Sequence, residues 1–107
     1  MAQKPVKKKD AKPKETKRAH VFYTGRVQGV GFRYTAEGYA HEAGLGGWVK
    51  NLRDGRVELV CEGSPEQIEK LFAMIRDGML GKHIKKADVQ WETPTGAFSD
   101  FIVEFEH

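Results

Sequence analysis

The order of segments along this chain, strand, helix, strand, strand, helix, strand and one further strand, predicts an α+β domain with two helices on one face of a mainly antiparallel sheet. Three observations carry that prediction. Two stretches place apolar residues at spacings of three and four, five shorter ones read as strands, three of them by alternating apolar residues, and an Asp-Gly pair joins two of the five. This is the split βαβ, or ferredoxin-like, order with an extra C-terminal strand. At 107 residues the chain can build one core and is too short for two.

The first strand is expected over His20 to Val27, with Val21 and Tyr23 on one side and Phe22 and Thr24 on the other. Phe32, Ala36, Tyr39, Ala40 and Ala43 then form one helical stripe that should stop at Gly44, a natural left-handed cap. Gly38 lies inside that helix at a cost of up to about 1 kcal/mol of propensity, which suggests close packing against a neighbour. Gly47 to Asn51 and Arg56 to Glu62 are two strands joined by Leu52-Arg53-Asp54-Gly55, a hairpin signal. In the second of them Val57, Leu59 and Cys61 should face inward and Glu58 and Glu62 outward, which makes Cys61 a small core residue. The second helix is the clearest element: Ser64 caps it, Pro65 takes its first position and Gln67 completes a capping box. Its stripe is Ile68, Leu71, Phe72, Ile75 and Met79, and Gly78 should end it. Ala87, Val89 and Trp91 alternate in the next strand, and Phe101, Val103 and Phe105 in the last, with Thr93-Pro94-Thr95-Gly96 between them.

The net charge of +3 is unevenly spread. Eight of the Lys and Arg residues but only two of the acids fall in residues 1–18, so that segment carries +6 and the remainder −3. With two prolines and almost no large apolar side chain, residues 1–18 cannot offset the entropy of ordering and are expected to be a disordered basic tail, leaving 19–107 as the domain. Such a lysine run can attract nucleic acid or an anionic surface, or serve only as a solubilising leader. No aromatic residue is interleaved with the lysines as base stacking requires, so nucleic acid is not an expected partner. No segment has the apolar length to cross a bilayer, and no apolar signal stretch opens the chain. With Cys61 as its one cysteine no internal disulfide forms. A cytoplasmic monomer is expected.

The stretch Gly25-Arg26-Val27-Gln28-Gly29-Val30-Gly31-Phe32-Arg33 follows a strand, opens a helix and ends on an arginine. Glycines let successive N–H groups converge, the helix start adds the positive end of its dipole, and Arg33 adds a charged planar fork, so the segment reads as an anion cradle. Its glycine spacing is neither the dinucleotide fingerprint nor the Walker pattern. The first two strands of a βαβ unit run in the same direction, so Arg33 and Asn51 can meet at one end of the sheet. Arginine holds phosphate oxygens, and an asparagine amide can orient a water molecule without being consumed. The ordinary account of each is a solvated charge at a helix start and a turn residue before a hairpin.

The cradle, together with Gly47-Trp48-Val49-Lys50-Asn51 and Asp54-Gly55-Arg56-Val57-Glu58, resembles the acylphosphatase family over essentially all of residues 19–107. The resemblance implies metal-independent, cofactor-free hydrolysis of small acyl phosphates to a carboxylate and inorganic phosphate, which would also bind as a competing ligand. By motif position Arg33 would bind the phosphate and Asn51 orient the attacking water. Backbone amides of Gln28, Gly29, Val30, Gly31, Phe32 and Arg33 would complete the cradle. No metal site is expected, since His20, His41, His83 and His107 show no ligand spacing. The competing reading from element order is an RNA-binding sheet, faintly echoed by Gly29-Val30-Gly31-Phe32-Arg33-Tyr34. That motif belongs on the third strand, where this chain has Glu58 and Glu62. A phosphate sensor without turnover is a further alternative.

Overall fold

The structure, a computed structural model, describes residues 15–105. Five strands, β1 (Lys17–Gly25), β2 (Gly46–Asn51), β3 (Val57–Gly63), β4 (Ile84–Glu92) and β5 (Phe101–Val103), form one sheet in the order β4-β1-β3-β2-β5. Helices α1 (Phe32–Ala43) and α2 (Pro65–Asp77) pack on it, and a single 3-10 turn, Gly81–His83, leads into β4. The β1–β3, β1–β4 and β2–β3 pairs are antiparallel and β2–β5 is parallel, so the expected α+β, ferredoxin-like arrangement is present.

One alternating set of sheet residues, Ala19, Val21, Tyr23, Val49, Val57, Leu59, Cys61 and Phe101, meets Phe32, Ala36 and Ala40 of α1 and Ile68, Leu71 and Ile75 of α2 in one core. Each element contributes its period-2 or period-3.6 face, so the layer between sheet and helices is built almost wholly from apolar side chains. Burial pushes the Cys61 thiol up to about 12, as suits a core residue rather than a nucleophile. Helix α2 begins as its sequence directs: the Gln67 amide donates to Ser64 Oγ at 3.2 Å, and the Ser64 amide donates to Gln67 Oε1 at 2.8 Å. The α1 helix ends at Gly44, whose φ of 80° is the left-handed cap. At the hairpin the Leu52 amide donates to Arg56 O at 2.8 Å, closing the Asp54-Gly55 turn.

Several sequence expectations change. Strand β1 starts at Lys17 and ends at Gly25, so Lys17 and Arg18 belong to the sheet; the rest of the expected tail, residues 1–14, lies outside the described residues. Arg18 is held there by ion pairs to Glu62 and Glu92, both at 2.9 Å. Gly38 does not pack closely: it is exposed, and a Cβ built on it meets nothing within 4 Å. Glu62 faces the outer side of the sheet as predicted but is only 7% exposed, because the returning chain covers it. The Thr95 and Gly96 amides donate to its carboxylate at 2.8 and 3.0 Å. Burial works against that charge, but the Thr95 amide, Arg18 and the Gly96 amide outweigh it and hold the carboxyl below its usual range. Met79 lies beyond the end of α2 and is exposed rather than in its core stripe. Strand β4 is an edge with Val89 and Trp91 exposed, since α2 covers it only as far as an open groove lined by Tyr23, Phe72, Ile75, Ala87 and Val89.

Candidate active site

Strands β1 and β2 are both antiparallel to β3, so they run the same way and their C-terminal residues, Gly25 and Asn51, lie toward one end of the sheet. The loop from Arg26 to Gly31 leaves β1 at that end and delivers the chain into α1. Protein contacts hold it at both flanks and in the middle. The Arg26 amide donates to His83 O at 2.9 Å, the Val27 side chain is fully buried, and the Phe32 ring lies in the core 5.1 Å from the Tyr23 ring. Between them the Gln28 side-chain amide donates to Leu52 O at 2.7 Å and to Arg56 O at 2.9 Å. This brace ties the loop to the hairpin directly beyond Asn51.

The unbraced residues are Gly29 and Gly31, both exposed, with φ of 79° and 77°. A Cβ at either would meet nothing within 4 Å, so glycine serves here for its backbone conformation and not for space. Among the described residues, no amide from Val27 to Gly31 donates to a backbone carbonyl; the neighbouring bonds are those of Arg26 to His83 O and Thr35 to Gly31 O. Gly31 caps α1 without a side-chain bond, and the first turn of α1 carries no acid. The positive end of the helix dipole and a run of free donors therefore face the loop with no carboxylate from their own helix to satisfy them. Phosphate or another oxyanion is the chemistry these donors suit.

Arg33 is the second residue of α1 and is half-buried. Its guanidinium partners among the described residues are aromatic: the Phe105 ring at 5.0 Å and the Tyr34 ring at 5.9 Å. Phe105 is itself fixed from β2, because the preceding residue, Glu104, donates its amide to Val49 O at 2.8 Å. The parallel register pairs Val49 with Val103, and two residues further along the two chains are Asn51 and Phe105. Arg33 thus stands against a residue whose backbone neighbour is tied to β2, the strand whose last residue is Asn51. Asn51 shares the helix-side face of β2 with Val49, and its Oδ1 is buried with no hydrogen-bond partner among the described residues.

The loop positions named from sequence, Gln28, Gly29, Val30, Gly31, Phe32 and Arg33, thus occupy the strand-to-helix junction, with Asn51 at the same end of the sheet. Phe32 contributes its side chain to the core and only its backbone to the loop. Two contributors were missed. The Gln28 side chain, not only its amide, shapes the loop, and Phe105 stands against Arg33 instead of continuing the core row of Phe101 and Val103. For neither does sequence offer a signal: Phe105 continues the alternation of Phe101 and Val103, and only the end of β5 at Val103 separates it from that row. Of the histidines, His20 is bound to Glu58 and Glu92 on the outer face, His41 to Phe101 O, and His83 meets the loop through its carbonyl. His107 lies outside the described residues. No described helix is long and apolar enough to cross a membrane.

Known proteins bear on the same segment. The acylphosphatase family model matches residues 19–103. An acylphosphatase of Roseiflexus sp. (strain RS-1) is 48% identical over 86 residues, covering 80% of this chain and 92% of that one. The crystal structure of the Bacillus subtilis acylphosphatase superposes with a TM-score of 0.76 at 31% identity, covering 82% of this chain and 98% of the other. An acylphosphatase structure from Coxiella burnetii gives 0.75 at 35% identity, covering 83% and 93%.

Proposed function

The chain belongs to the acylphosphatase family, an enzyme family of acyl phosphate hydrolysis, and from that premise we propose that Arg33 and the amides of residues 28–33 bind the phosphoryl group while Asn51 orients the attacking water. The observation that carries this reading is the Asn51 Oδ1. A buried acceptor left unpaired costs about 1–3 kcal/mol, and such exceptions in a folded chain call for a functional account. An amide oxygen at the end of β2 can accept one hydrogen of a water whose lone pair is then turned toward phosphorus.

The substrate is a mixed anhydride of a carboxylic acid and phosphate. Water adds to phosphorus as the bond from phosphorus to the acyl oxygen breaks, and the electron pair leaves on the carboxylate. The substrate's own phosphoryl oxygens take the water's proton, so one acyl phosphate dianion and one water give one carboxylate and one dihydrogen phosphate. A carboxylate is a weakly basic leaving group, so the step asks for positioning and charge stabilisation more than for a strong base or a metal. The preorganised amides and the guanidinium supply both, and inorganic phosphate is held by the same donors as product.

The test is steady-state hydrolysis of benzoyl phosphate with and without a chelator. Arg33→Ala should lower kcat/KM by about 10²–10³-fold in folded protein, the usual loss for one removed transition-state donor, and Asn51→Ala, which loses the acceptor that orients the water, by about 10²-fold or more. The chelator should change nothing. Near-parent turnover in either variant, or loss of activity on chelation, contradicts the assignment.

A further inference from the structure

We propose that Phe105 is a positioning residue for Arg33: its ring face supports the guanidinium and leaves the N–H fork free for the substrate phosphate. This rests on the reading of Arg33 as the phosphate-binding arginine. A long side chain with five donors must be ordered before it can serve a preorganised site, and a carboxylate partner would order it only by occupying the fork and neutralising the charge. A ring orders it through the face alone, since the attraction is between the cation and the π-cloud. The contact fits that role. Phe105 is 5.0 Å from the guanidinium carbon, closer than Tyr34 at 5.9 Å.

Nothing in the core accounts for Phe105. It is 55% exposed and follows the end of β5, unlike Phe101, which opens that strand and is fully buried. Its backbone is nevertheless held, because Glu104 donates to Val49 O at 2.8 Å and so extends the β2–β5 pairing by a step beyond Val103. The backbone next to the ring is thus tied to β2, the strand that ends in Asn51. One strand pair would then set the relative placement of both proposed functional side chains: Asn51 directly, and Arg33 through the ring. This also gives a reason for the very short β5 to be tied to the strand that carries Asn51.

The experiment compares Phe105→Ala, Phe105→Leu and Phe105→Tyr in the full chain by kcat and KM on benzoyl phosphate, inhibition by inorganic phosphate, melting temperature, and the NMR shift of the Arg33 Nε–H. In Ala and Leu variants kcat/KM should fall and the phosphate inhibition constant rise by about 3–10-fold, the scale of a partly exposed cation–π contact. The Nε–H resonance should lose its ring-current shift. Phe105→Tyr should restore all three, and melting should change little because the ring is more than half exposed. Parent-like kinetics in Phe105→Leu would overturn the proposal, as would an Nε–H resonance that stays put or an activity loss that only tracks melting. In an Arg33→Met background, which leaves no cation for the ring to support, the Phe105→Ala effect should vanish, and an undiminished effect refutes action through Arg33. Parent activity in Arg33→Ala would instead sink the phosphate-binding reading, whatever Phe105 does.

Discussion

Replacing Gln28 by glutamate changes two hydrogens of the loop brace and almost nothing of its shape. In the parent, Gln28 Nε2 donates to Leu52 O and Arg56 O at 2.7 and 2.9 Å. A hydrogen bond of this kind contributes about 0.5–1.5 kcal/mol net, so losing both costs about 1–3 kcal/mol. The structure favours the lower part of that range for Gln28→Ala, because neither carbonyl is stranded: Leu52 O still accepts from the Gly55 amide and Arg56 O from the Leu52 amide. Gln28→Glu is worse, since an acceptor-only carboxylate then faces two carbonyl oxygens and brings a negative charge into an anion cradle. A loss of 1 kcal/mol lowers the melting temperature of a domain this size by about 4–8 °C. Thermal melts should therefore rank parent above Gln28→Ala above Gln28→Glu, with inorganic phosphate inhibition weakening in the same order. The gap between the two variants should narrow as pH falls and the new carboxyl regains a proton to donate. A Gln28→Glu protein that melts with the parent and binds phosphate equally well would show that the brace does not hold the loop.

Two other substitutions test parts of the fold away from the loop. Gly38→Ala should stabilise by about 0.5–1 kcal/mol, since the position is an exposed helix interior with open space at Cβ, and a fall in melting temperature would show a constraint on that face. His20 should make stability pH-dependent. Its two ring nitrogens lie 2.7 and 2.6 Å from the acceptor-only carboxylates of Glu92 and Glu58, a geometry that only the imidazolium satisfies. Burial opposes that charge, but the bonds to Glu92 and Glu58 outweigh it and raise the pKa above the usual 6.5. The contribution is full below 6.5 and is lost as pH rises through the raised folded value. Urea unfolding across that window should show the slope in the parent and a flatter profile in His20→Gln; equal slopes would remove His20 as the cause.

Helix α2 shows which information is local. Its cap, its first proline and its capping box all act within three residues, so Ser64, Pro65 and Gln67 determine the start whatever packs nearby. The hairpin at Asp54-Gly55 and the stop at Gly44 are decided over equally short spans, and the period of apolar residues assigns the inner face of every long element. From these the strand and helix order, the core and the glycine-lined junction before α1 were all legible. Glu62, Gly38, Met79 and Trp91 were not, because the cover over each depends on distant chain. Glu62 is buried by amides 33 and 34 residues further on, whereas Trp91 stays exposed on the edge strand β4.

Sequence by itself determined that this chain carries a donor-rich loop at a strand-to-helix junction, with an arginine at the start of that helix and an asparagine at the end of the next strand. Periodicity and turn chemistry are properties of neighbouring residues, so no tertiary contact was needed to read them. Only the tertiary structure decided how the loop is held and what stands beside the arginine. Gln28 reaches carbonyls 24 and 28 residues away, and Phe105 meets Arg33 across 72 positions of chain, contacts set by sheet register and helix packing rather than by any local preference.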